Sequence, residues 1–342
     1  MEEVGPPNIV KTFKDFDVRG KRVLVRADFN VPLSEQGEIL DDFRIRETLP
    51  TIKYLLKKEA KVVLMSHLGD PGGKFVRELQ LNPVAERLTE LLGRPVSPGL
   101  PVGENVELLE NLRFNSGEES NDENFARELA QKGDIYINDA FGACHREHAS
   151  IVGVPKFLPS GAGFLLEREI ASLTKLKTNP EKPLVAVIGG AKVETKVRVI
   201  NKISEKASFV LISGLISKGV AGQKITLKYP EKIVFPVDET GGGKDIGPET
   251  VKLFKEKIAQ AKTIFWNGPL GKIEDEEFAS GTQEIAKAIA ESRAFSVVGG
   301  GETVEFITKL GLVEKFSHVS SGGGAMLTFL SGDKLPGLAA LE

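Results

Sequence analysis

A succession of short apolar runs, each followed by a stretch with helical spacing, constrains this chain more than any single motif does. The runs are Arg22–Ala27, Lys61–Ser66, Val106–Leu109, Ile135–Asn138, Leu184–Ile188, Ser208–Ile212, Lys232–Val237, Thr263–Trp266 and Phe295–Val298. They are rich in Val, Ile and Leu and barely alternate, as strands buried on both faces do. Helical stretches fill the intervals: Ile45–Leu56, Pro83–Leu92, Glu123–Gln131, Glu194–Lys206, Pro248–Ala259, Gly281–Ser292 and Thr303–Leu310. In the first of them Ile45, Leu49, Ile52 and Leu56 recur at helical spacing. Strand and helix in alternation imply parallel βαβ units, whose ligands sit at the carboxyl ends of the strands.

A chain of 342 residues exceeds one hydrophobic core, so two doubly wound α/β domains are expected. Pro159 to Gly163 reads as a turn cluster, Phe164–Lys177 as a connecting helix, and Asn179-Pro180 as its end. This gives domains at 1–163 and 183–331, a connecting helix within 164–182, and a tail at 332–342.

Composition narrows the class. The net charge of −3 and pI near 6.0 argue against bulk nucleic-acid binding. Cys144 is the single cysteine, so no intramolecular disulfide can form, which fits a reducing compartment. Met1 to Lys14 carries no apolar signal region, and no run approaches the ~20 apolar residues of a membrane span. A cytoplasmic, monomeric enzyme with no membrane or nucleic-acid partner is the expectation.

The polar residues that follow the runs divide by type. After the early ones come Asp28, Phe29 and Asn30, then His67, Leu68 and Gly69, then Arg113, then Arg146. Arg44 opens the helix at Ile45, with Asp42 as its candidate cap. Each has an ordinary reading: Asp and Asn favour turns, Arg44 suits a solvated helix, and His67 suits a satisfied local histidine. As a set they are four strand-end sites that each offer a cation or a hydrogen-bonding group, and Arg suits carboxylate and phosphate. Cys144, His145 and His148 fall short of a zinc site, which usually takes four Cys or His ligands.

After the late runs come glycine clusters: Gly189-Gly190, Gly241 to Gly243, Gly299 to Gly301, and Gly322 to Gly324. Lys192 and Lys196 are four apart, so they are expected to share a helix face over the first glycine turn, as a phosphate site. The ordinary reading is a tight turn with solvent lysines. Asn267 lies in a stiff loop with Glu274 beyond it, and Glu302 and Thr303 open a helix. Glu302 suits Mg²⁺, which prefers oxygen ligands, and equally suits a helix's first turn. Neither a Walker A sequence nor a G-x-G-x-x-G fingerprint is present.

Taken together, the segments RADFNVP, DDFRIRETLPTI, SHLG, ENLRF, NDAFGACHREHAS, GGAKVETK, DIGPET, FWNGPLG, VVGGGET and FSHVSSGGGA resemble the phosphoglycerate kinase family over nearly the whole chain. The resemblance implies two Rossmann-like doubly wound parallel-sheet domains facing a cleft and joined by a hinge helix. It implies reversible transfer of phosphate between 1,3-bisphosphoglycerate and ADP, giving 3-phosphoglycerate and MgATP, in glycolysis and gluconeogenesis. Carried over by position, Asp28, Phe29, Asn30, Arg44, His67, Leu68, Gly69, Asp70, Arg113 and Arg146 would hold phosphoglycerate. Gly190, Lys192, Lys196, Gly243, Asn267, Glu274, Gly300, Gly301, Glu302 and Thr303 would hold ATP or ADP, with Glu302 on Mg²⁺ and Glu274 on the ribose. Arg44 and Lys196 would neutralise the transferring group, helped by Gly322 and Gly323.

The chain departs from the family pattern at three residues and in three shortened segments. Asp70 stands where the family has arginine, Glu302 where it has aspartate, and Lys244 where it has an apolar adenine contact. Sequence is missing at Ser213–Tyr229, between Val237 and Asp245, and at Pro95–Asn105, so a reduced nucleotide domain is expected. A non-catalytic binding or scaffold protein on the same fold, with a decayed adenine pocket, is the second reading at this point.

Overall fold

The computed structural model describes residues 11–96, 98 and 106–342. Much of Pro95–Asn105 and the start of the chain therefore lie outside the described residues. Two compact units are present, one of Met1–Glu169 with Lys334–Glu342, the other of Ile170–Asp333.

In the first unit, strands β1 (Arg22–Ala27), β2 (Lys61–Met65), β3 (Val106–Leu108), β4 (Ile135–Asp139) and β5 (Ser160–Ala162) form a parallel sheet in the order β3-β2-β1-β4-β5. Its helices are α1 (Phe43–Lys57), α2 (Asn82–Leu92), α3 (Ser116–Glu119), α4 (Glu123–Ala130) and the start of α5 (Phe164–Thr178). Val23, Val25 and Ile137 stand in a core with Ile45, Ile52 and Leu88, as expected where helical crossovers cover a parallel sheet. Phe13 packs edge-to-face on Tyr54 and Phe164, at 4.9 and 4.6 Å between ring centres, which seats α1 and the start of α5 on one aromatic cluster.

In the second unit, β6 (Leu184–Ile188), β7 (Phe209–Ile212), β8 (Ile233–Val234), β11 (Thr263–Asn267), β12 (Phe295–Gly299) and β13 (His318–Ser320) form a parallel sheet in the order β13-β12-β11-β6-β7-β8. A small antiparallel pair joins β9 (Glu239–Thr240) to β10 (Asp245–Ile246). The helices are the rest of α5 with α6 (Val193–Ile203), α7 (Gly214–Gly222), α8 (Pro248–Ala259), α9 (Ser280–Glu291), α10 (Gly301–Lys309) and α11 (Gly323–Ser331). Trp266 is fully buried on the central strand and donates its indole N–H to Gly268 O at 2.9 Å.

Three differences from the sequence reading have local causes. Ser160 to Ala162, read as a turn, is the edge strand β5: Ser160 pairs with Tyr136. Its small residues hid the strand, and they are small because a Cβ on Gly161 would meet Phe16 at 2.9 Å and Lys11 O at 3.0 Å. The apolar run at Lys232–Val237 yields only the two-residue β8, and Phe235 and Val237 are exposed. The stretch expected as a tail packs into the first unit, where α12 (Pro336–Ala339) is flanked by buried Leu335 and Leu341. Gly337 N donates to Cys144 O at 2.9 Å there, and a Cβ on Gly337 would meet Cys144 Cα at 2.9 Å.

Candidate active site

The first unit gathers its polar residues at the carboxyl ends of β1 and β2. Arg44, in the first turn of α1, reaches Asp28 Oδ1 at 3.5 Å and donates to Asn30 O at 2.7 Å. Asn30 Oδ1 accepts from Gly69 N at 2.8 Å, tying the two strand-end loops together. Asp28 also accepts from Asn30 N at 3.2 Å, so the turn role and the site role coexist. Burial pulls the Asp28 carboxyl up, but Arg44, His67 and Arg26 outweigh it and hold it below the usual range. Arg113 donates to Gly69 O at 2.8 Å, and Asn111, beside it, holds Leu68 O at 2.8 Å.

Several expectations change here. Phe29 and Leu68 have their side chains in the core, so only their backbones can face a ligand. Asp42 makes no side-chain cap: it pairs with Arg46 and Arg87, each at 2.8 Å, and Asp41 accepts from Phe43 N instead. Asp70, standing where the family has arginine, pairs with Arg113 at 3.9 Å. Arg113 Nε lies 3.2 Å from Glu119, an ion pair without hydrogen-bond geometry. Arg146 is exposed, and its charge is felt by Arg113, His145 and His148. Burial leads the downward shift of Arg113, Glu119 opposes it, and Arg146 adds to it. Cations that repel one another in this way form a site that gains when an anion binds.

The second unit gathers its groups at the ends of β6, β11 and β12. Lys196 donates its ammonium to Asn267 Oδ1, and Asn267 Nδ2 donates to Gly299 O at 2.6 Å. Burial lowers the Lys196 ammonium to about 8, with Glu302 opposing. Lys192 does not share the helix face; it is the exposed residue just before α6, and its carbonyl accepts from Lys196 N.

The glycine turns have a second task. Gly190 N–H is spent on Pro269 O at 2.8 Å and Gly189 N–H on Asn267 O at 3.0 Å. A Cβ on Gly189 or Gly268 would strike the other loop's backbone, so these glycines let two strand-end loops touch. Gly190's amide is therefore not free for phosphate. Thr303 Oγ1 likewise accepts from Gly268 N at 3.0 Å. What remains open is the start of α10, where Gly300 has φ +112 and the first-turn N–H groups lack intrahelical acceptors. Gly323 abuts it, since a Cβ there would lie 2.8 Å from Gly300 Cα. Glu302 and Glu274 line one open pocket of about 580 Å³ with Phe306 and Ile273.

Gly243 (φ +94) is crowded by a pair the motifs did not single out: Lys218 on α7 meets Glu239 at 2.6 Å beside it. Lys244, where an apolar contact was expected, places its ammonium 4.5 Å from the centre of the Phe278 ring. Arg26 in the first unit also lies outside the residues that the motifs assign a role. Of the two charges in the strand Arg22–Ala27, Arg22 is its exposed first residue and Arg26 lies in its buried run; that position was the signal, because a buried cation needs dedicated partners.

Comparison with known proteins agrees in both units. The family model described as phosphoglycerate kinase matches residues 13–223 and 221–333. A phosphoglycerate kinase of Thermosipho africanus is 45% identical, covering 96% of this chain and 97% of the relative. One of Rubrobacter xylanophilus is also 45% identical, covering 97% and 98%. The first alignment runs over 391 residues, 49 more than the 342 here, so the relative carries segments without counterpart in this chain. The crystal structure of phosphoglycerate kinase from Pyrococcus horikoshii superposes with a TM-score of 0.87 at 32% identity, covering 97% of this chain and 98% of that one. The enzyme from Coxiella burnetii gives 0.82 at 34%, covering 96% and 98%. Fold, motifs and near-full-length relatives converge, and the chain belongs to the phosphoglycerate kinase family, a family of kinases, with the function of a phosphoglycerate kinase.

Proposed function

We propose that the acceptor in this chain's reaction is the carboxylate of 3-phosphoglycerate, with ATP as donor, and that the reverse reaction phosphorylates ADP from 1,3-bisphosphoglycerate. In this reading Asp28, Asn30, Arg44, His67, Arg113 and Arg146 hold the phosphoglycerate. Lys192, Lys196, Gly243, Asn267, Glu274 and Gly300 to Thr303 hold the nucleotide. A carboxylate is already an anion, so no general base is required, and what remains is positioning and charge stabilisation.

The observation that carries the reading is Lys196. It is a half-buried cation at the strand ends, held by Asn267, whose amide also reaches Gly299 O just before the open start of α10. A transferring phosphoryl group carries negative charge on its equatorial oxygens, and such a cation with helix-start N–H donors stabilises it. Arg44, set by Asp28 and Asn30, supplies the matching cation from the acceptor side. Transfer requires the two ligands to be brought together, with water excluded because it would hydrolyse the acyl phosphate.

Glu302 is the residue suited to Mg²⁺. It is an exposed carboxylate in the first turn of α10 and acts electrostatically on Lys196. The described residues contain no group of three or more metal-ligating side chains, and one carboxylate fits a Mg²⁺ that arrives with nucleotide phosphates and keeps several waters. When bound, the ion would neutralise phosphate charge.

Lys196→Met tests the assignment. Turnover should fall by roughly a hundredfold or more, the cost of removing a charge that acts on the transition state. Calorimetric affinity for 3-phosphoglycerate should stay within about twofold. Unchanged turnover would remove Lys196 from this role.

A further inference from the structure

The first unit contains a buried ionic cluster that the proposed mechanism leaves unused. Arg26 and Glu118 are both fully buried. Arg26 Nε donates to Ser150 Oγ at 2.7 Å, and Ser150 Oγ donates to Glu118 Oε1 at 2.5 Å. Ser150 N reaches Glu118 Oε2 at 3.0 Å, and Tyr136 holds Ser150 O at 2.8 Å. Arg26 Nη1 donates to Ala27 O. The guanidinium is therefore fixed along two of its edges, and its planar fork then dictates where the third nitrogen points. That nitrogen, Nη2, lies 3.3 Å from His67 Nδ1.

A guanidinium has donors and no acceptor. His67 Nδ1 must therefore carry the lone pair, and the ring proton must sit on Nε2. Among the described residues Nε2 takes up no protein hydrogen-bond partner. We propose that Arg26 is a positioning residue which fixes the tautomer of His67, so that a neutral Nε2–H is the donor offered to phosphoglycerate. This rests on the reading that His67 contacts that ligand.

The surroundings agree. Burial leads in keeping His67 well below its usual value, then Arg26, with Arg113 and Arg44 adding and Asp28 opposing. A neutral, single-tautomer imidazole gives a hydrogen bond that does not vary with pH across the neutral range.

The test begins with the intact protein. Its four histidines allow long-range ¹⁵N–¹H correlation spectra to be resolved, with the His67 signals assigned by their loss in His67→Gln. The expected pattern has a bare Nδ1 and a protonated Nε2 throughout pH 6–8. A proton on Nδ1, or titration of the ring near 6.5, would overturn the proposal without any variant having to fold. Addition of 3-phosphoglycerate should then move the Nε2 resonance. A correct tautomer with no such movement would sink the contact reading alone.

Arg26→Met combined with Glu118→Gln removes both buried charges, so neither is left uncompensated. In that protein the KM for 3-phosphoglycerate should rise roughly tenfold, the loss of one hydrogen bond to a charged partner, with a much smaller change in kcat. KM should also acquire a slope with pH, falling as the freed His67 becomes protonated in acid and attracts the anion. A KM and tautomer like those of the parent would contradict the proposal.

Discussion

At the scale of single residues, displaced protonation gives the sharpest expectations. Lys196 is held at about 8, so its ammonium is present at neutral pH and lost as pH climbs past that value. The KM for ADP should rise between pH 8 and 9.5 in the parent and stay nearly flat in Lys196→Arg, whose guanidinium does not deprotonate there. Identical pH profiles for the two proteins would contradict this. The same displacement has a stability sign. The unfolded chain binds that proton more tightly, so the fold gains stability as pH rises from about 8 toward the ordinary 10.5. Asp70 gives an expectation of a different kind, for it pairs with Arg113, a cation of the proposed phosphoglycerate site. The carboxylate is 79% exposed, so its effect is modest. Asp70→Asn should lower the KM for 3-phosphoglycerate about two- to fivefold at low salt, with the gap closing at high salt. An unchanged or higher KM in steady-state assays would refute it. The residue types at the strand ends were legible because Arg, Asn and Gly there have few ordinary uses in combination. Their partners were not. Nothing in the sequence says that Gly190's amide is taken by Pro269, or that Lys218 and Glu239 stand beside Gly243.

At the scale of elements, strands and helices with strong patterns were legible, often to within a residue: β1, β6 and α8 span the ranges their periodicity implies. Elements set by tertiary contact were not. Strand β5 consists of Ser, Gly and Ala, and the apolar α7 begins and ends with glycine, so neither carries a local signal. The link from β4 to α5 shows what such contacts do. Asp139 ends β4 and accepts from Leu166 N at 3.2 Å, fixing the first turn of α5. Its other oxygen is buried without a partner. Burial raises this carboxyl to about 7, against opposing bonds from Thr51 and the Leu166 and Leu165 amides. A raised folded-state value means the native state keeps the proton more tightly. That contribution is complete below about pH 4 and fades as pH climbs through 7. Asp139→Asn keeps an acceptor and cannot ionise. Relative to the parent, the variant should therefore gain stability from pH 4 to 7 and level off above. Denaturation curves at stepped pH would show it, and a constant difference would rule it out.

At the scale of the whole molecule, the two α/β units were legible from the alternation of strand and helix, while the closing contact was not. Residues Lys334–Glu342 return to the first unit, although Leu335, Leu338 and Leu341 are too few to announce an element. Missing sequence was expected mainly in the second unit, and the alignment to one relative runs over 391 residues against 342 here. In the second unit Leu215, Phe235 and Val237 are exposed, while Lys196, Asn267 and the start of α10 form a connected set at the strand ends. A chain reduced in this way should keep the chemistry, because that chemistry depends on charge at the strand ends and little on the missing segments. The direct measurement is a coupled assay of the purified chain run in both directions, with 3-phosphoglycerate and ATP and then with 1,3-bisphosphoglycerate and ADP. Turnover each way that requires Mg²⁺ is the expected result. Folded protein that binds 3-phosphoglycerate yet turns over in neither direction would contradict it.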